Sequence, residues 1–219
     1  MKVLTAPQSG SHNGITAGHN RFGQYLRSRS IPVNPRSGAQ GLARGRLSGN
    51  SSGWRLITAN QRAGWGSLGS MMTRTDALGQ TYTLQANQAY VSVNSNRLLC
   101  GLAVVADAPA YSTPATIATA TITTTAGTLS IAYTPTPMPA ATFLAVFASP
   151  QRSAGRAFEG DFRYVLLSTA AQASPVNPLA AYSAKFGVPV IGNRIFFSLV
   201  SISLGFESAP LITSIVVTA

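Results

Sequence analysis

Thr128-Leu129-Ser130-Ile131-Ala132-Tyr133 and Phe197-Ser198-Leu199-Val200-Ser201-Ile202 alternate apolar with hydroxyl-bearing or small residues at a period of two. Successive side chains of a strand point to opposite faces, so this alternation is the pattern of half-buried β-strands. From residue 115 onward the same texture recurs: short runs of Thr, Ile, Val, Ala and aromatics, broken by Gly and Pro. It predicts strands near 116–124, 128–134, 142–149, 161–168, 179–185, 194–204 and 210–218. Seven short strands in some 105 residues suggest an antiparallel sandwich of immunoglobulin or fibronectin type. Cys100 is the single cysteine, which excludes the disulfide of antibody domains and a zinc cluster. In the run Leu98-Leu99-Cys100-Gly101-Leu102 it reads as a small buried hydrophobe.

Upstream the texture differs, and the fold class expected for the whole chain is α+β. Two helices are predicted within a small helical region at 37–106. Ser37 caps the first, which runs to about Gly53 with glycine at every fourth position: Gly41, Gly45, Gly49 and Gly53. Each costs a helix about 0.8–1 kcal/mol relative to Ala, so the four together cost about 3–4 kcal/mol. Such a ridge admits close approach of another backbone; the alternative is a loop with accidental spacing. Thr58-Ala59-Asn60-Gln61 fits a capping box that opens the second helix, ending near Met72. Trp54 and Trp65, the only tryptophans, are expected to form a small core between these helices. Asp76-Ala77-Leu78-Gly79 reads as a turn and 80–84 as a strand. Residues 87–99 have both helical and strand spacing, with helix favoured. A Pro-containing linker at 107–114 precedes the β region at 115–219.

The first 75 residues hold ten Lys and Arg and no acid, so +10 of the net +11 lies in the leading third. Apart from Lys2 the bases are Arg21, Arg27, Arg29, Arg36, Arg44, Arg46, Arg55, Arg62 and Arg74. Arg grips phosphate and carboxylate through a planar fork, and a one-sign segment needs solvent or an external counter-charge. Residues 1–36 show no regular period and read as a Gly/Ser/Arg-rich arm, with His-Asn at 12–13 and 19–20. The stretch 21–31 suits a short extended segment before the break Pro32-Val33-Asn34-Pro35. Phosphate and the surfaces of neighbouring subunits are equally good counterparts for the nine Arg; Phe22, Tyr25, Trp54 and Trp65 add aromatics able to stack on bases. Charged residues make up 10% of the chain, against the usual quarter. So few charges suit a surface sheltered in an assembly.

Catalytic groups are scarce. Glu159 and Asp161 are the only close carboxylate pair, and Arg152, Arg156 and Arg163 around them favour ion pairing over hydrolysis. His12 and His19 have no acid or thiol nearby to complete a metal site. Gly64-Trp65-Gly66-Ser67-Leu68-Gly69 matches the dinucleotide fingerprint by letter but lacks the preceding strand and the acid about 20 residues on. The expectation is a protein that is not an enzyme and takes no cofactor, metal or small-molecule substrate. Met1-Lys2-Val3-Leu4 is not followed by the apolar core of a signal peptide, and no stretch is long enough for a membrane span.

Three stretches together resemble a loose group of phage, prophage and environmental bacterial proteins. They are Ile31-Pro32-Val33-Asn34-Pro35-Arg36-Ser37-Gly38-Ala39-Gln40 with Arg44 and Arg46, then Trp54-Arg55-Leu56-Ile57-Thr58-Ala59-Asn60-Gln61-Arg62-Ala63-Gly64-Trp65, then the β-rich C-terminal half. In that group NP-x-[ST]-x-x-Q…R and W-R-x-[LI]-T-x-x-Q-R-x-x-W precede an immunoglobulin-like or fibronectin-like domain. Motifs carry the resemblance over about the first 100 residues and texture over the rest; Gly41, Gly45 and Gly49 depart from it. It implies a setting, a virion or another particle, and no particular activity. The expected function is a non-enzymatic structural subunit of such a particle (capsid, decoration, tail or fibre), assembled in the bacterial cytoplasm. Its expected partners are copies of itself, other particle proteins and, through the arm, packaged nucleic acid. A free-standing nucleic-acid-binding protein and a surface filament or adhesion module are the alternatives; the second needs an export signal.

Overall fold

A computed structural model describes residues 9–31, 37–76, 78–125 and 127–218. The fold is mixed α+β, with four helices and antiparallel strands in several sheets among the described residues. The chain divides into two compact units, Met1–Leu42 and Ala43–Ala219.

The first unit holds three strands, β1 (Gly10–His12), β2 (Ile15–Asn20) and β3 (Gly23–Ser28), in one antiparallel sheet in that order. The segment read as an arm without period is therefore a β-meander. Asn13 and Gly14 close the first hairpin with φ of 42° and 79°. Positive φ at both central residues is the turn that Asn-Gly adopts most readily. Asn20 turns the second hairpin, its side chain accepting the Phe22 N–H at 2.9 Å. Pro32-Val33-Asn34-Pro35 and Arg36 lie outside the described residues.

Helix α1 (Gly38–Leu56) starts where expected: the Ser37 hydroxyl accepts the Gln40 N–H at 3.4 Å. Helix α2 (Ala59–Met71) opens with the capping box read in the sequence, Thr58 and Gln61 serving each other's backbone N–H. Strands β4 (Thr73–Thr75) and β5 (Thr81–Thr83) form a small hairpin, and α3 (Ala86–Leu99) resolves the ambiguous 87–99 as helix. A second capping box, Gln85 with Gln88, starts α3. These helices enclose a core of Ile57, Trp65, Leu68, Met72, Ala89, Tyr90 and Val93. Gly69 lets α2 pack here, because a Cβ would lie 2.5 Å from the Leu84 carbonyl oxygen.

Trp65 is fully buried and Trp54 partly so; they are joined through Tyr90 rather than by direct stacking. The 107–114 segment packs rather than dangles. Gln61 donates to Asp107 at 3.1 Å, Ala108 packs on the helical core, and the Tyr111 ring meets Phe206 edge to face at 5.5 Å. Just before the segment the Trp65 indole donates to the Ala106 carbonyl at 2.7 Å.

The β region supplies β6 (Thr119–Thr125), β7 (Thr128–Thr134), β8 (Thr142–Ala148), β9 (Arg152–Ser153), β10 (Arg163–Leu167), α4 (Leu179–Phe186), β11 (Asn193–Ser203), β12 (Phe206–Glu207) and β13 (Leu211–Val216). β11 is the organising strand and pairs with β8, β9, β12 and β13, while β10 extends the sheet beyond β8. β6 and β7 form a separate hairpin. Inward residues of both sheets build one core with Tyr182: Ile122, Leu129, Ile131, Leu144, Phe197 and Leu199 among others.

Residues 179–185, expected as a strand, are α4. Leu179, Ala181, Tyr182 and Phe186 are its residues against the core, a spacing that suits a helix. Asn177 also caps the start, accepting the Leu179 N–H at 3.0 Å. A short, mostly apolar segment of this length fits either period, and packing decides it.

The helical and β regions meet at the β11–β12 turn. Gly205, at φ 97°, brings its backbone so near Val93 that a Cβ would lie 2.6 Å from the Val93 carbonyl oxygen. Asn96 donates to the Gly205 carbonyl at 3.0 Å, and Phe206 enters the helical core.

Candidate interaction surface

The sequence-predicted contact residues fall into three groups. On the N-terminal sheet, Arg21 sits in the β2–β3 turn, Arg27 on β3, and Arg29 just beyond it, where its N–H donates to the Gly14 carbonyl at 2.7 Å. Pairing and alternation place Ser11, Thr16, Gly18, Tyr25, Arg27 and Arg29 on one face of the sheet. His12, Ile15, Ala17, His19, Gln24 and Leu26 fall on the other. The two faces differ in chemistry. Ile15, Ala17 and Leu26 line an open concavity of about 570 Å³ with residues of β1. Gln24 is the one buried residue of the three strands.

The second group lies on α1. Arg44 and Arg55 are exposed and Arg46 is half-buried. Of the 19 residues of α1 only Asn50 is buried; it donates to Ser95 at 3.0 Å. The glycine ridge is used at one end. At Gly53 a Cβ would lie 2.8 Å from the Tyr90 hydroxyl, whereas at Gly41, Gly45 and Gly49 it would meet nothing within 4 Å. Leu42 and Leu56 are 67% and 86% exposed.

The third group is engaged within the fold. The Arg62 guanidinium donates to the carbonyls of Trp54 and Arg55 and lies 5.7 Å from the Trp54 ring centroid, closing the C-terminal end of α1. Arg74 pairs with Glu207 at 3.4 Å. Arg36 lies outside the described residues.

Acids elsewhere are occupied. Glu159 accepts the N–H groups of Gly160 and Asp161 at 2.9 and 3.0 Å, bonds Arg152, and has Arg156 at 3.5 Å. The Asp161 N–H and the Arg152 guanidinium hold its carboxyl down at about 2. Asp161 pairs with Arg163 at 3.0 Å. Both acids precede β10 in a loop, so they do not share a strand face. Cys100 has its thiol pushed up to about 11 by burial, with Arg97 opposing in part. Among the described residues no three His, Cys, Asp or Glu side chains gather as a metal-holding group, and no helix is long and apolar enough to cross a membrane.

No family model matches the chain, and no curated protein matches it.

Sequence reasoning listed the basic residues but missed the sheet that sorts them. Its signal was Asn13-Gly14, a strong hairpin dipeptide.

Proposed function

We propose that this protein is a non-enzymatic structural subunit of a phage-like particle, and that its basic N-terminal region clasps neighbouring subunits or packaged nucleic acid. The observation that carries the reading is the N-terminal sheet: three short strands, basic on one face, with Ile15, Ala17 and Leu26 only partly covered on the other. A three-stranded sheet gains independent stability by burying a hydrophobic face. Here Ile15 remains 49% exposed. The exposed part of α1 adds weight, since a helix with four glycines gains little from propensity and packs mainly at its C-terminal end. Both features are explained by partners that complete them. The immunoglobulin-like or fibronectin-like character of the β region belongs to this reading, supported by the shared core of the β6–β7 hairpin and the larger sheet.

Negative-stain electron microscopy of nuclease-treated protein tests the proposal. Rings, tubes, shells or fibres of uniform subunit spacing are expected; a field of dispersed single chains at high concentration contradicts it.

A further inference from the structure

We infer that the polar face of the N-terminal sheet is a binding platform for single-stranded nucleic acid, with Tyr25 as the base-stacking residue and Arg27 and Arg29 as the phosphate contacts. This rests on the proposed role of the basic N-terminal region and decides between its two counterparts. The Tyr25 ring lies over Gly18, its cross-strand partner: a Cβ on Gly18 would come within 2.8 Å of the ring Cζ and hydroxyl oxygen. Only glycine there lets the ring lie flat on the sheet, and Tyr25 stays 37% exposed. Arg27 and Arg29 follow Tyr25 at intervals of two, so all three rise from the same face. At the adjoining turn the Arg21 guanidinium sits 4.7 Å from the centroid of the Phe22 ring, which is 68% exposed. Aromatic rings beside a basic track are what a single strand requires, because its bases can splay out and stack while its phosphates are neutralised. Trp54 and Trp65 drop out as stacking residues, since both pack around Tyr90.

The acids of the chain argue against a second copy as the counter-charge. Asp76 accepts the N–H groups of Leu78 and Gln80, Asp107 accepts from Gln61, Glu159 and Asp161 are held by Arg152, Arg156 and Arg163, and Glu207 pairs with Arg74. Glu159, Asp161 and Glu207 are thus ion-paired within their own chain. Among the described residues only Asp76 and Asp107, bonded by neutral donors, keep an unpaired negative charge, too few to match Arg21, Arg27 and Arg29 in another copy. Phosphate fits the vacancy in charge.

Fluorescence anisotropy with labelled oligothymidylate, oligouridylate and a mixed-sequence duplex tests the assignment on the full chain. Both single strands are expected to bind more tightly than the duplex, and the ratio between them shows whether DNA or RNA is preferred. Tyr25→Ala is expected to lose about 5- to 150-fold in affinity with the salt slope unchanged, and Tyr25→Phe to retain it. Gly18→Val, which lifts the ring without altering charge, is expected to behave like Tyr25→Ala. Arg27→Ala should reduce the slope of log K against log salt by about 0.7. Amide hydrogen exchange across β2 and β3, which lie in the 1–42 unit with all three substituted positions, reports whether each variant keeps the N-terminal sheet. Equal affinity of wild type and Tyr25→Ala, or no binding by a wild type that still oligomerises, overturns this inference and leaves the structural-subunit reading standing. A monomer that binds single strands does the reverse.

Discussion

Trp65 and Tyr90 meet edge to face, ring centroids 5.1 Å apart at 79°, and Trp54 packs on the same Tyr90 ring at 5.5 Å. One tyrosine of α3 therefore ties α1 to α2, with burial raising its phenol above the ordinary value. Replacing Trp65 by Ala is expected to cost about 3–5 kcal/mol, read from urea unfolding. A double-mutant cycle with Tyr90→Leu should return a coupling of about 0.5–1.5 kcal/mol for the ring pair.

The glycines of α1 should separate into two kinds. Gly53→Ala forces the buried Tyr90 hydroxyl aside and is expected to destabilise the chain by about 1–3 kcal/mol despite the better helix propensity. Gly45→Ala and Gly49→Ala meet open space and should stabilise the isolated chain by up to about 1 kcal/mol each. If α1 packs against a neighbour along that ridge, the same two changes weaken the oligomer. Thermal unfolding and light scattering on the same samples read the two effects separately.

Glu159 gives the fold an acid-sensitive point. Its carboxyl sits at about 2, below the ordinary 4.5, because backbone N–H groups and Arg152 favour the charged form. The unfolded chain binds the proton more readily, so this contribution is complete above about pH 4.5 and is lost as pH falls toward 2. Glu159→Gln should flatten the pH dependence of the unfolding midpoint across that window.

Cys100 should be slow to alkylate. With its thiol at about 11, little thiolate exists near neutrality, and iodoacetamide at pH 8 is expected to modify it far more slowly than in the urea-unfolded protein. Mass spectrometry over time measures the ratio.

What could be read from the sequence was local. Thr58 with Gln61 announced α2, Ser37 announced α1, and the alternation at 128–133 and 197–202 lies within β7 and β11. Leu179–Phe186 misled because an eight-residue segment with apolar residues interrupted only by Ser183 and Lys185 carries no decisive period, and the Asn177 side chain at its start was the better signal. The N-terminal meander stayed hidden because both of its faces are largely exposed, which leaves no clean alternation to detect. The placement of Gly205 against Val93 depends on residues more than 100 apart, and no local pattern encodes it. For the candidate surface, the Arg list came from composition alone. The sorting of Arg62 and Arg74 into the fold, and of Arg27 and Arg29 onto the face of Tyr25, required the pairing of strands and helices.

Whether this chain works as an assembled subunit can be read from multi-angle light scattering with the A260/A280 ratio, taken before and after nuclease and high salt. A homo-oligomer of defined mass is expected, persisting once nucleic acid is removed and the absorbance ratio has fallen to that of protein. A monomer at every concentration, with or without nucleic acid, would contradict it.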